Sequence, residues 1–163
     1  MRVDDTDALL HIFADPLVMA AFGSGPFDWQ QMARWVERNL EHQARYGYGL
    51  YSVMLKAKQL LVGNCGLTRM PVAGRAEVEL GYDFRSDYWN QGLATEAAAA
   101  VRNYAFQVLG LPRLVSLIRH GNFASRRVAE KVGLRFTADI THDGTAYWLY
   151  ACSRDDMPAL PTS

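Results

Sequence analysis

Apolar residues in the first third of the chain recur every three to four positions. Leu9, Ile12 and Phe13 follow the capping-type residues Asp4, Asp5 and Thr6, which predicts a helix over 4–13. A second short helix is expected from Pro16 to about Phe22, since proline suits a first helical turn, and the stretch GSGPFD breaks it. Asp28 then caps a longer helix whose apolar face is Trp29, Met32, Ala33, Val36 and Leu40 and which ends near Tyr46-Gly47. Trp29 is expected in the core, and Trp35 either there or in a pocket wall.

After Gly47 the period changes to that of strands. GLYSVMLK and LLVGNCGLTR read as a hairpin around Ala57-Lys58-Gln59. Pro71 to Gly74 reads as another turn, and AEVELGYDF (Ala76 to Phe84) alternates as a third strand. An alanine-rich helix follows, with Leu93, Ala97, Ala100, Val101, Tyr104 and Val108 on one side, closed by Gly110. RLVSLI is nearly all apolar, as a strand covered on both faces would be. A helix from about Phe123 to Val132 stops at Gly133, and Asp143-Gly144 turns a last hairpin, LRFTADIT to TAYWLYACS. The order predicts one mixed α/β domain over 1–157, with 158–163 a frayed tail. Strands three and four are joined through a helix and therefore expected to be parallel.

Composition narrows the classes. The 163 residues carry 17 Lys plus Arg and 17 Asp plus Glu, so no net field invites nucleic acid. The two cysteines, Cys65 and Cys152, lie in apolar runs without metal-ligand spacing and read as buried thiols. No apolar run is long enough to span a bilayer and the start has no signal core, so a cytoplasmic location without a membrane partner or bound metal is expected.

Between the third strand and its helix stands YWNQGLATEA. A helix start leaves backbone N–H groups without partners and carries partial positive charge, and a glycine lets an anion approach them. On this stretch alone, phosphate binding and simple turning of the chain by Gly92 remain open.

YWNQGLATEA, followed by N-x-x-S-x-x-V-x-x-K-x-G-L from Asn122 to Leu134 and preceded by ELGYDF, resembles the GNAT acetyltransferases. The closest likeness is to the RimJ/RimL-like branch, which acetylates protein N-termini and various small amines. The resemblance covers nearly the whole chain. It implies the GNAT fold: a central, mixed, mostly antiparallel twisted sheet with splayed central strands, flanked by helices. Family members open with an apolar strand; here that strand is missing or shortened to Met1-Arg2-Val3, and a bare sheet edge would pair with another chain, so a homodimer or a domain-swapped contact is expected.

The resemblance further implies acetyl-CoA as co-substrate, no metal, and an amine acceptor, a protein N-terminus before a small molecule such as an antibiotic or polyamine. A degenerate CoA-binding sensor or scaffold is the alternative in another class. Gly92-Leu93-Ala94 matches the second half of the family's phosphate loop, with Trp89 where Gln or Arg would stand. The implied cofactor contacts are N–H groups from Gln91 through Gly92, Leu93 and Ala94 to Thr95, the strand backbone Gly81, Tyr82, Asp83 and Phe84, and Asn122, Ser125 and Arg127. Tyr82 would offer an N–H to the carbonyl oxygen. The tyrosine that many relatives use as proton donor is replaced by Ala129, and Ser125 would hydrogen-bond the departing sulfur instead. Glu79, less so Glu77, would accept the amine's proton; the alternative is that no protein base is needed.

Overall fold

The structure is a computed structural model and describes residues 1–156; the tail expected over 158–163 lies outside them. Three helices open the chain: α1 (Thr6–Phe13), α2 (Pro16–Met19) and α3 (Trp29–Tyr46). Asp28 starts α3 as expected, its carboxylate accepting from Gln31 N–H at 2.7 Å while the Gln31 side chain accepts from Asp28 N–H at 2.8 Å. Gly47, at φ 77°, ends it. The strands β1 (Leu50–Leu55), β2 (Leu60–Val72) and β3 (Arg75–Phe84) form a meander, α4 (Leu93–Gln107) crosses to β4 (Arg113–Arg119), and α5 (Phe123–Lys131) leads to the hairpin β5 (Arg135–His142) and β6 (Thr145–Ser153).

The six strands lie in the order β1-β2-β3-β4-β6-β5, and every pairing is antiparallel except β3 with β4. This is the mixed, mostly antiparallel α/β sheet of the GNAT fold. One face carries α4 and α5, packed through Ala98, Ala105, Phe106 and Ala129 onto Leu67, Leu80, Leu114 and Tyr150. Leu67, Leu80 and Leu114 are fully buried, each worth about 1.5–3 kcal/mol in apolar burial. The first helices form a second core of their own around Leu9, Phe13, Met32 and Val36, reaching the sheet at Leu61.

Of the two expectations for the opening strand, missing or shortened, the first holds: Val3–Asp5 form a 3-10 turn and no strand precedes α1 among the described residues. Three other expectations need correction. Trp29 is 55% exposed, because it is the first helical residue and lies beyond the core; its indole N–H donates to Asp7 at 2.8 Å. Pro71 does not begin a turn: β2 runs on to Val72, and Ala73-Gly74 alone turn the chain, at φ 48° and 77°. On α4 the buried residues are Ala98, Ala105 and Phe106, while Ala100 and Val108 face out. A helix rich in alanine has too little contrast between its sides to fix its rotation from sequence.

Candidate active site

β3 and β4 touch along a single rung, Glu79 with Val115. Beyond it the strands part. The Ser116 hydroxyl closes the join by donating to the Leu80 carbonyl at 2.6 Å. Because backbone groups alternate sides along a strand, Tyr82 and Phe84 turn their N–H and C=O the same way as Leu80. Arg85 N–H, which donates to Val62 of β2 at 2.9 Å, fits that alternation. Tyr82 and Phe84 therefore point their backbone groups into the opening, where β4 no longer answers them.

The mouth of α4 lies beside this opening. Gly92, at φ 81°, precedes the helix, no side chain caps it, and the first intrahelical bond is Glu96 N–H to Gly92 C=O at 3.0 Å. The N–H groups of Leu93, Ala94 and Thr95 are thus left at the mouth. Trp89 fixes the loop: its indole N–H donates to the Phe84 carbonyl at 2.8 Å, so the loop is clipped to the end of β3. Nothing in the sequence announced that bond.

Two clefts meet at the opening. One, of about 420 Å³, is lined by Tyr82 to Phe84, by Gly92 to Thr95, and by Asn122, Ser125, Arg127 and Lys131. Gln91, exposed, does not line it, and Gly81 belongs to the second cleft. That second cleft, of about 390 Å³, lies on the other side of the sheet, walled by Phe22, Trp35, Glu79, Leu117, Arg119 and Tyr147 among others. Tyr82, Asp83, Asn122, Ser125 and Ala21 line both.

Individual side chains divide between structural and chemical duties. Asn122 caps α5, its Oδ1 accepting from Ser125 N–H at 3.1 Å, which leaves its amide N–H groups for other partners. Glu77 is committed to Arg113 at 3.4 Å. Arg126 pairs with Glu130 at 2.8 Å one helical turn on, whereas Arg127 lines the first cleft. Ala129 is fully buried against the sheet. Cys65 and Cys152 are buried free thiols, both held protonated by burial, Cys152 at about 11.

Glu79 is half-buried in the second cleft, and burial raises its pKa against the opposing pull of the Leu117 N–H, which donates to Oε1 at 3.3 Å. The side chain of Asp83 was not singled out by the sequence. Burial raises its pKa to about 7, with the nearby Glu79 carboxyl adding to the rise. Asn64, its register partner on β2, is fully buried with an amide that closes no normal hydrogen bond among the described residues, so it is a weak stabiliser of the charged carboxylate.

A sheet that opens between two parallel strands, with a bare helix mouth beside the opening and two clefts meeting at it, is the arrangement of an acyltransferase-type domain of the GNAT fold. A profile of the "Acetyltransferase (GNAT) domain" matches residues 1–135. The chain belongs to the GNAT acetyltransferase family and is an N-acetyltransferase by that membership. It is 35% identical over 129 residues to the Bacillus subtilis "Uncharacterized protein YkkB", covering 79% of this chain and 74% of that one. A GNAT-family acetyltransferase from Bacillus anthracis superposes with a TM-score of 0.80 at 26% identity, covering 95% of this chain and 92% of the other. Two more distant structures share the fold. The ribosomal-protein-S5-alanine acetyltransferase of Vibrio fischeri has TM-score 0.74 at 14% identity over 98% and 93% of the two chains. The aminoglycoside acetyltransferase AAC(6')-Ib, solved with coenzyme A, has 0.79 at 13% over 96% and 93%.

Proposed function

We propose that this protein moves the acetyl group of acetyl-CoA onto the α-amine of an amino acid or of a protein N-terminus, in the manner of the RimJ/RimL-like branch. The observation that carries the reading is the backbone of Tyr82, turned into the opening that β4 leaves at the junction of the two clefts. The residues fit the co-substrate. The N–H groups of Leu93, Ala94 and Thr95 suit a diphosphate, Arg127 and Lys131 stand on the same cleft wall, and the edge of β3 suits an amide-bearing arm laid alongside it. When bound, acetyl-CoA supplies an activated acetyl thioester.

Transfer forms a C–N bond and breaks a C–S bond, and each proton movement has a residue. Asp83 lines both clefts and lies nearer the junction than Glu79, which stands four residues back, roughly 13 Å along the strand. Asp83 therefore takes the proton of the attacking amine, and Glu79 is the alternative base. Tyr82 N–H donates to the developing oxyanion, a role whose loss costs about 10²–10³ in rate. The Ser125 hydroxyl donates to the departing sulfur.

The acceptor cleft argues against a polycationic drug. Its carboxylates, Glu79 and Asp83, are both held toward their neutral forms, and Arg119 adds a positive charge. The outer edge of β1 pairs with no strand among the described residues, which supports a homodimer formed there; a monomer by sedimentation at high concentration refutes that part.

The decisive experiment monitors free thiol release from acetyl-CoA over a panel of amines, peptides and aminoglycosides, with products read by mass spectrometry. Turnover of α-amines is expected. Turnover of aminoglycosides alone overturns the acceptor assignment, and binding without turnover of anything favours a sensor.

A further inference from the structure

Four residues beyond the rung Glu79–Val115, the parting strands bring Asp83 and Arg119 level across the opening, on the same face of the sheet. Opposite charges so placed would be expected to pair. Among the described residues Arg119 makes no ion pair and no side-chain hydrogen bond. Its guanidinium instead lies against Gly23, in the loop after α2: a β-carbon at Gly23 would fall on the guanidinium, and Gly23 has φ 67°. The sequence break GSG thus has a physical reason, since a glycine there makes room for the Arg119 head group and allows the left-handed backbone. The guanidinium is parked on one bank of the acceptor cleft and the Asp83 carboxyl stands on the other.

An unpaired guanidinium in a partly desolvated cleft is a demand for an anion, and its planar fork matches a carboxylate. Resting on the acetyl-transfer reading above, we propose that the acceptor is a primary amine that also carries a carboxylate, with its amine toward Asp83 and its carboxylate on Arg119. Arg119 is then a specificity residue: it binds the acceptor and takes no part in bond making. Two sources offer this chemistry, a free α-amino acid and a peptide whose first residue is Asp or Glu. The aromatic walls Phe22, Trp35 and Tyr147 suit an acceptor with an apolar body in addition.

The test compares matched acceptors with acetyl-CoA at saturation: phenylalanine, phenylalaninamide and phenethylamine, and peptide amides beginning with Asp, Asn or Ala. The carboxylate form should exceed its neutral counterpart in kcat/KM by about 10- to 100-fold, mostly through KM. Preference within the phenylalanine trio identifies a free amino acid, and preference for the Asp peptide identifies the N-terminal source. Arg119→Met should abolish the preference, slowing the carboxylate-bearing acceptor more than its neutral counterpart. Arg119→Lys should restore part of it. Gly23→Ala, which displaces the guanidinium while leaving it in the chain, should resemble Arg119→Met. Acetyl-CoA affinity measured by calorimetry reports whether each variant is folded. Neutral amines used as well as their acids, or an Arg119→Met variant that slows all acceptors equally, overturns the inference and leaves acetyl transfer standing. No turnover of any amine overturns both.

Discussion

The Tyr82 hydroxyl donates to the Ser125 carbonyl at 2.7 Å, tying β3 to α5 across the junction of the two clefts. One residue therefore serves the opening twice. Its backbone faces the gap and its side chain spans it. Tyr82→Phe separates these roles, because it keeps the N–H. The variant should lose about 1 kcal/mol of stability and bind acetyl-CoA several-fold more weakly, with kcat falling less than about tenfold. Thermal melts and calorimetry check this; a loss of rate as large as that of an oxyanion donor would shift the chemistry onto the phenol.

Ser125 is expected to act on the leaving sulfur. Ser125→Ala should lower kcat more than it weakens coenzyme binding, since α5 keeps its Asn122 cap through the Ser125 backbone N–H. Equal turnover in steady-state kinetics removes the hydroxyl from the mechanism.

The pH dependence follows from Asp83. A base raised to about 7 is half-deprotonated near neutrality, so kcat/KM should rise with pH and level off above that value. Asp83→Asn should abolish that limb. Glu79→Gln should alter it less, and a limb lost only with Glu79→Gln would make Glu79 the base.

The same group has a stability signature of opposite sense. The folded pKa of Asp83 exceeds the usual carboxylate value of about 4, so between the two values the native state holds more protons than the unfolded chain. Its contribution is most favourable below about pH 4 and declines as pH rises through about 7. The difference in melting temperature between Asp83→Asn and the parent should therefore widen from pH 5 to pH 8.

The helix mouth is tested at Gly92 and Trp89. Gly92→Ala places a side chain at φ 81° and should cost about 1 kcal/mol. Trp89→Phe removes the donor to Phe84 without touching the helix, and should weaken acetyl-CoA severalfold with acceptor KM unchanged. Thermal melts measure the first, and isothermal titration with acetyl-CoA together with steady-state kinetics measures the second.

Most of the fold was legible because its signals were local. Asp28, Asp143-Gly144 and the apolar run of β4 each fix an element without knowledge of the rest. The rotation of α4 was not legible, since alanine faces differ too little. The sites divide the same way. Backbone donors at Leu93 to Thr95 follow from where a helix starts, and side chains cannot conceal them. The roles of the Asp83 carboxyl and Arg119 depend on residues distant in sequence, at Asn64 and Gly23, that only folding brings alongside, and the Trp89 clip to Phe84 depends on how the short loop between them turns.

The lone rung between β3 and β4 has a mechanical consequence. β1 to β3 form one plate and β4 to β6 another, hinged near Ser116, with helices as the bracing. A long molecule lodged in the seam would act as a splint. Amide exchange at Leu80, Ser116 and Leu117 should slow when acetyl-CoA is added, while the outer hairpin β5–β6 hardly responds. Tightness of the seam would then report occupancy, and the acceptor would meet a rigid frame only after the donor is aboard.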